Sequence, residues 1–169
     1  ILLMPGIHAY EDIPNEMNRA RILYPDISFQ YGKTLGADEI MAEIVYDRII
    51  EKGYTLGEDA SVLLVGHGSR DEGAAREFES LAGVLEEKYA IEIKTAFLKT
   101  TPFYHDRMVE CGNKVYILPY FLFSGGFTEE IQQKVACTQG DREFILCNSI
   151  GFAPKLASLL SKRVNEILV

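Results

Sequence analysis

Apolar residues recur along this chain in two rhythms, and the rhythms alternate. Short apolar or alternating segments, rich in β-branched residues, predict strands over residues 1–5, 26–32, 61–65, 91–98, 115–122 and 143–147. Between them, apolar residues fall three and four apart, the spacing of one helix face. Ile13, Met17 and Ala20 mark the first such face, and Ile40, Ile44, Val45 and Ile49 mark the second. Phe78, Leu81, Ala82, Leu85 and Tyr89 mark a longer one that starts at Asp71. A short helix is expected over 102–110, another around Ile131 and Val135, and a last one with Leu156, Leu159, Leu160, Val164 and Ile167 turned inward.

The punctuation agrees with the rhythm. Asp12 stands where a helix N-cap belongs, Pro14 and Pro102 suit first turns, and Gly53 suits a helix end. Strict alternation of strands and helices predicts a parallel sheet with right-handed crossovers, an α/β fold of three-layer α/β/α lobes. The polar stretch Gly53-Tyr-Thr-Leu-Gly-Glu-Asp-Ala60 is the best boundary. It divides the chain into residues 1–53, the C-terminal half of one lobe, a linker over 54–60, and a complete lobe over 61–169. Residues 1–52 and 115–168 share one order: an apolar strand ending in proline (Pro5, Pro119), a glycine loop, an acidic-Ile helix start, a short strand, a glycine turn and a closing helix. The fold is therefore expected to be internally repeated. Because Ile1 lies inside a strand, the chain is expected to lack the front of its first lobe, and to form either a two-lobed monomer or a homodimer.

Composition narrows the function. A hydrophobic content of 47% in 169 residues suffices for a real core. A net charge of −8 argues against nucleic-acid binding, which needs a basic footprint. No apolar run approaches the roughly 20 residues of a membrane span, and no signal peptide is visible. Cys111, Cys137 and Cys147 are odd in number and lack a CxxC spacing, so they read as reduced thiols of a cytoplasmic protein, not a disulfide or zinc site.

The chemistry concentrates on two histidines. His8 and His67 each follow a strand in a glycine-containing loop, at the carboxyl edge where open α/β sheets bind ligands. A neutral imidazole there ligates a transition metal or accepts a proton near pH 7. The plainer alternative is a loop histidine bonded to backbone. His105, on a short polar helix, reads as a surface residue.

The segments VGHGSRDEG (65–73), AFLKTTP (96–102) and VYILPYFLFSGG (115–126) resemble the sirohydrochlorin chelatase family of the CbiX/SirB type. GIHAYEDIP (6–14), YGKTLG (31–36) and SIGFAP (149–154) fit the same family, so the resemblance covers nearly the whole chain in the order of its long, two-lobed members. It implies a chelatase-like fold and a lyase that inserts Co²⁺ or Fe²⁺ into sirohydrochlorin, for cobalamin or sirohaem biosynthesis. The metal is then a substrate, with no permanently bound cofactor, and the partners are the tetrapyrrole and a divalent metal, without nucleic acid or membrane. The family's GxH histidine falls on His8 and its HGS histidine on His67. This makes His8 the expected catalytic residue and both histidines the expected metal ligands.

Ser69 and Arg70 become candidate anchors for the tetrapyrrole carboxylates, with a surface ion pair to Asp71 or Glu72 the plainer reading of Arg70. Tyr10, Tyr120 and Phe127 become candidate packing surfaces, and Glu11 and Asp12 candidate pre-binding groups. The second lobe departs from the pattern, with Phe127 at its GxH position and Lys99 where a glutamate follows the second strand. The chain is also short between Pro5 and Gly6 and between Glu110 and Gly112. His67 is thus expected to matter less than His8. A non-catalytic tetrapyrrole- or metal-binding protein and a phosphate-handling enzyme are the alternatives; the second lacks a Walker-type loop.

Overall fold

The computed structural model describes residues 1–138 and 141–168. Its centre is β1 (Ser61–Gly66), in which all six residues are buried. A strand buried on both faces must be apolar throughout, as Val62-Leu63-Leu64-Val65 is. β2 (Glu92–Phe97) pairs with β1 on one side and β3 (Lys114–Pro119) on the other, and β4 (Glu143–Leu146) extends β3. All pairings are parallel, in the order β2-β1-β3-β4. The chain leaves β1 toward β2 and returns to its opposite side at β3. Such a reversal opens a crevice at the carboxyl ends of the two strands.

Successive strand residues point to opposite faces, so the core divides in two. Val62, Leu64, Tyr116 and Leu118 face a cluster built from α2 (Glu39–Ile50), α3 (Glu72–Tyr89) and α6 (Lys155–Leu168). Leu63, Val65, Val115 and Ile117 face α4 (Tyr104–Glu110) and α5 (Gly126–Cys137). The three layers expected from the alternation are thus present. Residues 35–50 share the first cluster: Met41, Ala42, Ile44, Val45 and Ile49 are wholly buried, and Tyr46 stacks on Tyr89 at 3.8 Å between ring centres.

One buried carboxylate ties this packing together. Asp38 caps α2, accepting from the Ile40 N–H at 3.1 Å, and also accepts from Lys162 at 2.5 Å and Arg163 at 3.2 Å on α6. Arg163 donates further to the carbonyls of Thr34 and Leu35. Burial alone pushes the Asp38 carboxyl up, but the Lys162 and Ile40 hydrogen bonds and the two cationic charges together bring it below its ordinary value. A carboxyl depressed in the folded state contributes stability above its unfolded value, near pH 3.9, and loses it as pH falls through the folded value. Urea midpoints measured against pH should therefore fall on that acid limb, and Asp38→Asn should be less stable at neutral pH with a flatter limb. An unchanged limb in the variant would remove Asp38 as its source.

Three local expectations are corrected. Residues 1–5 and 26–32 form no strands, because the four-stranded sheet offers them no neighbour; Leu2 and Leu3 accept only from Leu35 and Gly36. Pro102 precedes the short helix, which begins at Tyr104. Asp12 is no N-cap: its backbone is already helical, continuing from a π-helical turn over His8–Asp12 into α1 (Ile13–Leu23). Helix α1 buries none of its residues, leaving Ile22, Leu23 and Tyr24 exposed. Among the described residues no helix is long and apolar enough to cross a membrane.

Candidate functional site

The second histidine loop is built outward from the sheet. Gly66 ends β1 because a Cβ there would lie 3.3 Å from the Phe97 ring. The ladder then runs on for two more bonds, Leu98 N–H to the Gly66 carbonyl and Lys99 N–H to the His67 carbonyl, both at 3.0 Å. Gly68 turns with φ +95°, in the region that favours glycine. Nδ1 of His67 lies 3.0 Å from the Gly68 carbonyl, and its ring stands edge-on to Phe127 at 4.9 Å. A carbonyl only accepts, so Nδ1 carries the proton and Nε2 keeps its lone pair. Asp71, accepting from the Gly73 N–H at 2.6 Å, caps α3, which begins at Glu72, one residue after the start expected from the sequence.

The facing wall is the N-terminal segment. The Gly6 carbonyl accepts from the N–H groups of Ala9 and Tyr10, which starts the turn carrying His8. A Cβ on Gly6 would stand 3.5 Å from the Ser69 hydroxyl oxygen, so the two histidine loops adjoin. The His8 side chain is 73% exposed, and its Nδ1 lies 2.5 Å from Oδ2 of Asp12.

Between the walls lies a cleft of about 630 Å³. His8, Tyr10 and Glu11 line one side and His67, Ser69 and Arg70 the other, with Phe78, Phe97, Tyr120 and Phe121 supplying apolar surface. Residues some 60 positions apart are thereby gathered into one site. Among the described residues Arg70 has no ion-pair partner; Glu72 bonds Arg76 instead. Ser69 accepts from the Asp71 N–H. The Tyr120 hydroxyl is buried without a hydrogen-bond partner, and burial pushes it far above its ordinary value, so it stays a donor.

Phe127 is placed differently from the expectation. It lines a neighbouring apolar groove of about 450 Å³ with Leu2, Leu3 and Phe123, and meets the cleft through His67 and through Phe121, on which it stacks at 5.8 Å. Lys99 lies 5.6 Å over its ring and 3.4 Å from Glu130. His105 packs beside Phe103 and Tyr104 away from the cleft, as a surface residue. The cysteines are free, as expected; burial raises Cys111 and pushes Cys147 up to about 12, which keeps both as thiols. Among the described residues no three His, Cys, Asp or Glu side chains converge on one point. The cleft therefore carries no closed set of three such ligands, and His8, Glu11 and His67 line it separately. Two contacts were hidden from the sequence: Phe127 against His67, which no spacing signals, and Asp12 against His8, for which the four-residue interval was a signal.

Comparison with known proteins agrees with this picture. The CbiX family profile matches residues 1–52 and 61–167. The chain is 34% identical to a sirohydrochlorin ferrochelatase of Priestia megaterium, over 99% of this chain and 66% of that protein. It is 33% identical to a sirohydrochlorin cobaltochelatase of the same organism, over 98% of this chain and 58% of that protein. It thus spans 66% and 58% of the length of these two curated relatives, less than two thirds of either. Among solved structures it superposes on SirB from Bacillus subtilis with Fe³⁺ at a TM-score of 0.90 and 33% identity, covering 98% of this chain and 68% of that one. SirB from Bacillus subtilis subspecies spizizenii in complex with cobalt gives a TM-score of 0.83 at 30% identity, covering 98% and 66%.

Proposed function

The chain belongs to the CbiX family, and from that premise we propose that it inserts Co²⁺ or Fe²⁺ into sirohydrochlorin in the cytoplasm. The observation that supports this reading is that His8 and His67 both line one cleft, with the Nδ1 of each already bonded to an oxygen.

Metallation exchanges two pyrrole N–H protons for one divalent cation, so the site must deliver a partly desolvated metal and accept protons. His8, on the exposed turn, holds the incoming metal through Nε2 and takes one pyrrole proton as the metal transfers to the macrocycle, the second proton leaving to water in the open cleft. His67 is the second ligand, fixed by the sheet. An incomplete ligand set suits a metal that must leave: water and then the macrocycle nitrogens fill the open positions.

Arg70 and Ser69 bind carboxylates of the substrate, an unpaired guanidinium being available for a bidentate contact. Tyr10 packs on the ring within the cleft, and Phe127 supports it indirectly by bracing His67. Holding the macrocycle between two walls supplies orientation.

The test is anaerobic mixing of the protein with sirohydrochlorin and Co²⁺ or Fe²⁺, followed by absorbance. Insertion well above the spontaneous rate is expected. A spectral shift on binding with no insertion would instead make this a tetrapyrrole-binding protein.

A further inference from the structure

Asp12 has a place in the sequence that suits a helix cap and a place in the structure that does not. Its φ of −64° and ψ of −53° are helical, and its carboxylate bonds no N–H of α1. Oδ2 lies instead 2.5 Å from Nδ1 of His8, four residues earlier along the π-helical turn. Both side chains are more than half exposed, at 73% and 58%. An ion pair so open to water contributes little to folding, so its value to this chain lies elsewhere.

We infer that Asp12 is a positioning residue for His8: by accepting the Nδ1 proton its carboxylate fixes the tautomer and ring orientation that leave Nε2 free toward the metal. A carboxylate oxygen has no proton to give, so in this contact the imidazole nitrogen must donate. A carboxylate behind a ligating histidine also raises the donor strength of the other nitrogen. When Nε2 takes a pyrrole proton, the same carboxylate faces the imidazolium. Asp12 does not itself line the cleft; it borders Asn15, Glu16 and Arg19 on the outer side of the turn. This geometry assigns it a role through His8 and not as a ligand. The inference rests on the proposed role of His8.

The test uses ¹⁵N-histidine-labelled protein without metal. His8 is expected as the Nδ1–H tautomer in the native chain and to shift toward Nε2–H in Asp12→Ala. Titration with Co²⁺ alone should show affinity falling about 10- to 100-fold in Asp12→Ala and less in Asp12→Asn, which keeps a neutral acceptor. In a His8→Ala background, adding Asp12→Ala should change Co²⁺ affinity no further. Circular dichroism, expected to be unchanged, reports that the variants are folded. An Nε2–H His8 in the native chain, unchanged Co²⁺ affinity in folded Asp12→Ala, or a loss that persists without His8 each overturns the inference. A locked tautomer with Asp12-dependent Co²⁺ binding but no insertion would support it while sinking the chelatase reading.

Discussion

His8→Ala is expected to lower metal insertion by about 10²- to 10⁴-fold, the range in which a positioned acid–base group contributes, while sirohydrochlorin still binds. The separation of the two effects follows from where the residues sit. The His8 side chain stands largely in solvent at the rim of its turn. On the proposed reading a flat macrocycle lies against Tyr10 and Phe121, and its carboxylates meet Arg70 and Ser69. On that reading, removing the imidazole takes away a metal ligand and a proton acceptor but little binding surface, so kcat should fall with KM nearly constant. His67→Ala should cost less, since the position where the family pattern would supply a partner histidine holds Phe127. Steady-state insertion by both variants decides this. Full activity in His8→Ala removes His8 from the mechanism, and the opposite order makes His67 the working imidazole.

The second large effect concerns the loop that holds His67. Gly68 combines φ of +95° with crowding: a Cβ would stand 2.4 Å from the Thr100 hydroxyl and 3.1 Å from both the Thr100 nitrogen and the Phe97 Cβ. The left-handed backbone costs an L-residue about 1–2 kcal/mol, and overpacking against a fixed wall adds about 1–3 kcal/mol. For a chain of this size each kcal/mol moves Tm by about 2–4 °C. Gly68→Ala should therefore melt roughly 10 °C lower and lose insertion activity as His67 shifts. Gly57 provides the control, because it shares a positive φ of +85° but has nothing within 4 Å of the added atom. Gly57→Ala should show only the backbone part. Equal losses in the two variants would mean that the Thr100 contact yields freely.

These predictions draw on different layers of information, and the layers were not equally legible. The strand over Val62–Val65 and the helices around Phe78 and Leu156 could be read directly, since burial on a sheet or on one helix face imposes its period on the residues. The strands expected over 1–5 and 26–32 failed for the complementary reason. Their composition suits a sheet, but a strand exists only through a neighbour, and pairing is a property of the whole sheet and not of the segment. Asp12 shows the same limit at smaller scale. A short acidic residue before Ile-Pro is compatible with a cap or with reaching back to His8, and the wider π-helical turn, invisible in the sequence, decided for the second. The contact between Phe127 and His67 joins residues from different strand ends, so only the folded sheet brings them together. The loop bearing His67, by contrast, could be placed at the carboxyl edge from strand order alone, whereas His8 reaches the same cleft on a π-helical turn with no strand before it.

The unburied state of α1 gives the two imidazoles different thermodynamic fates. His67 hangs from hydrogen bonds that continue the β1–β2 ladder, so moving its backbone breaks bonds anchored on the sheet. The turn of His8 leads into a helix with no buried residue, and its opening belongs to the low end of the spectrum of local fluctuations. One wall of the cleft is thus a fixed jaw and the other a compliant one.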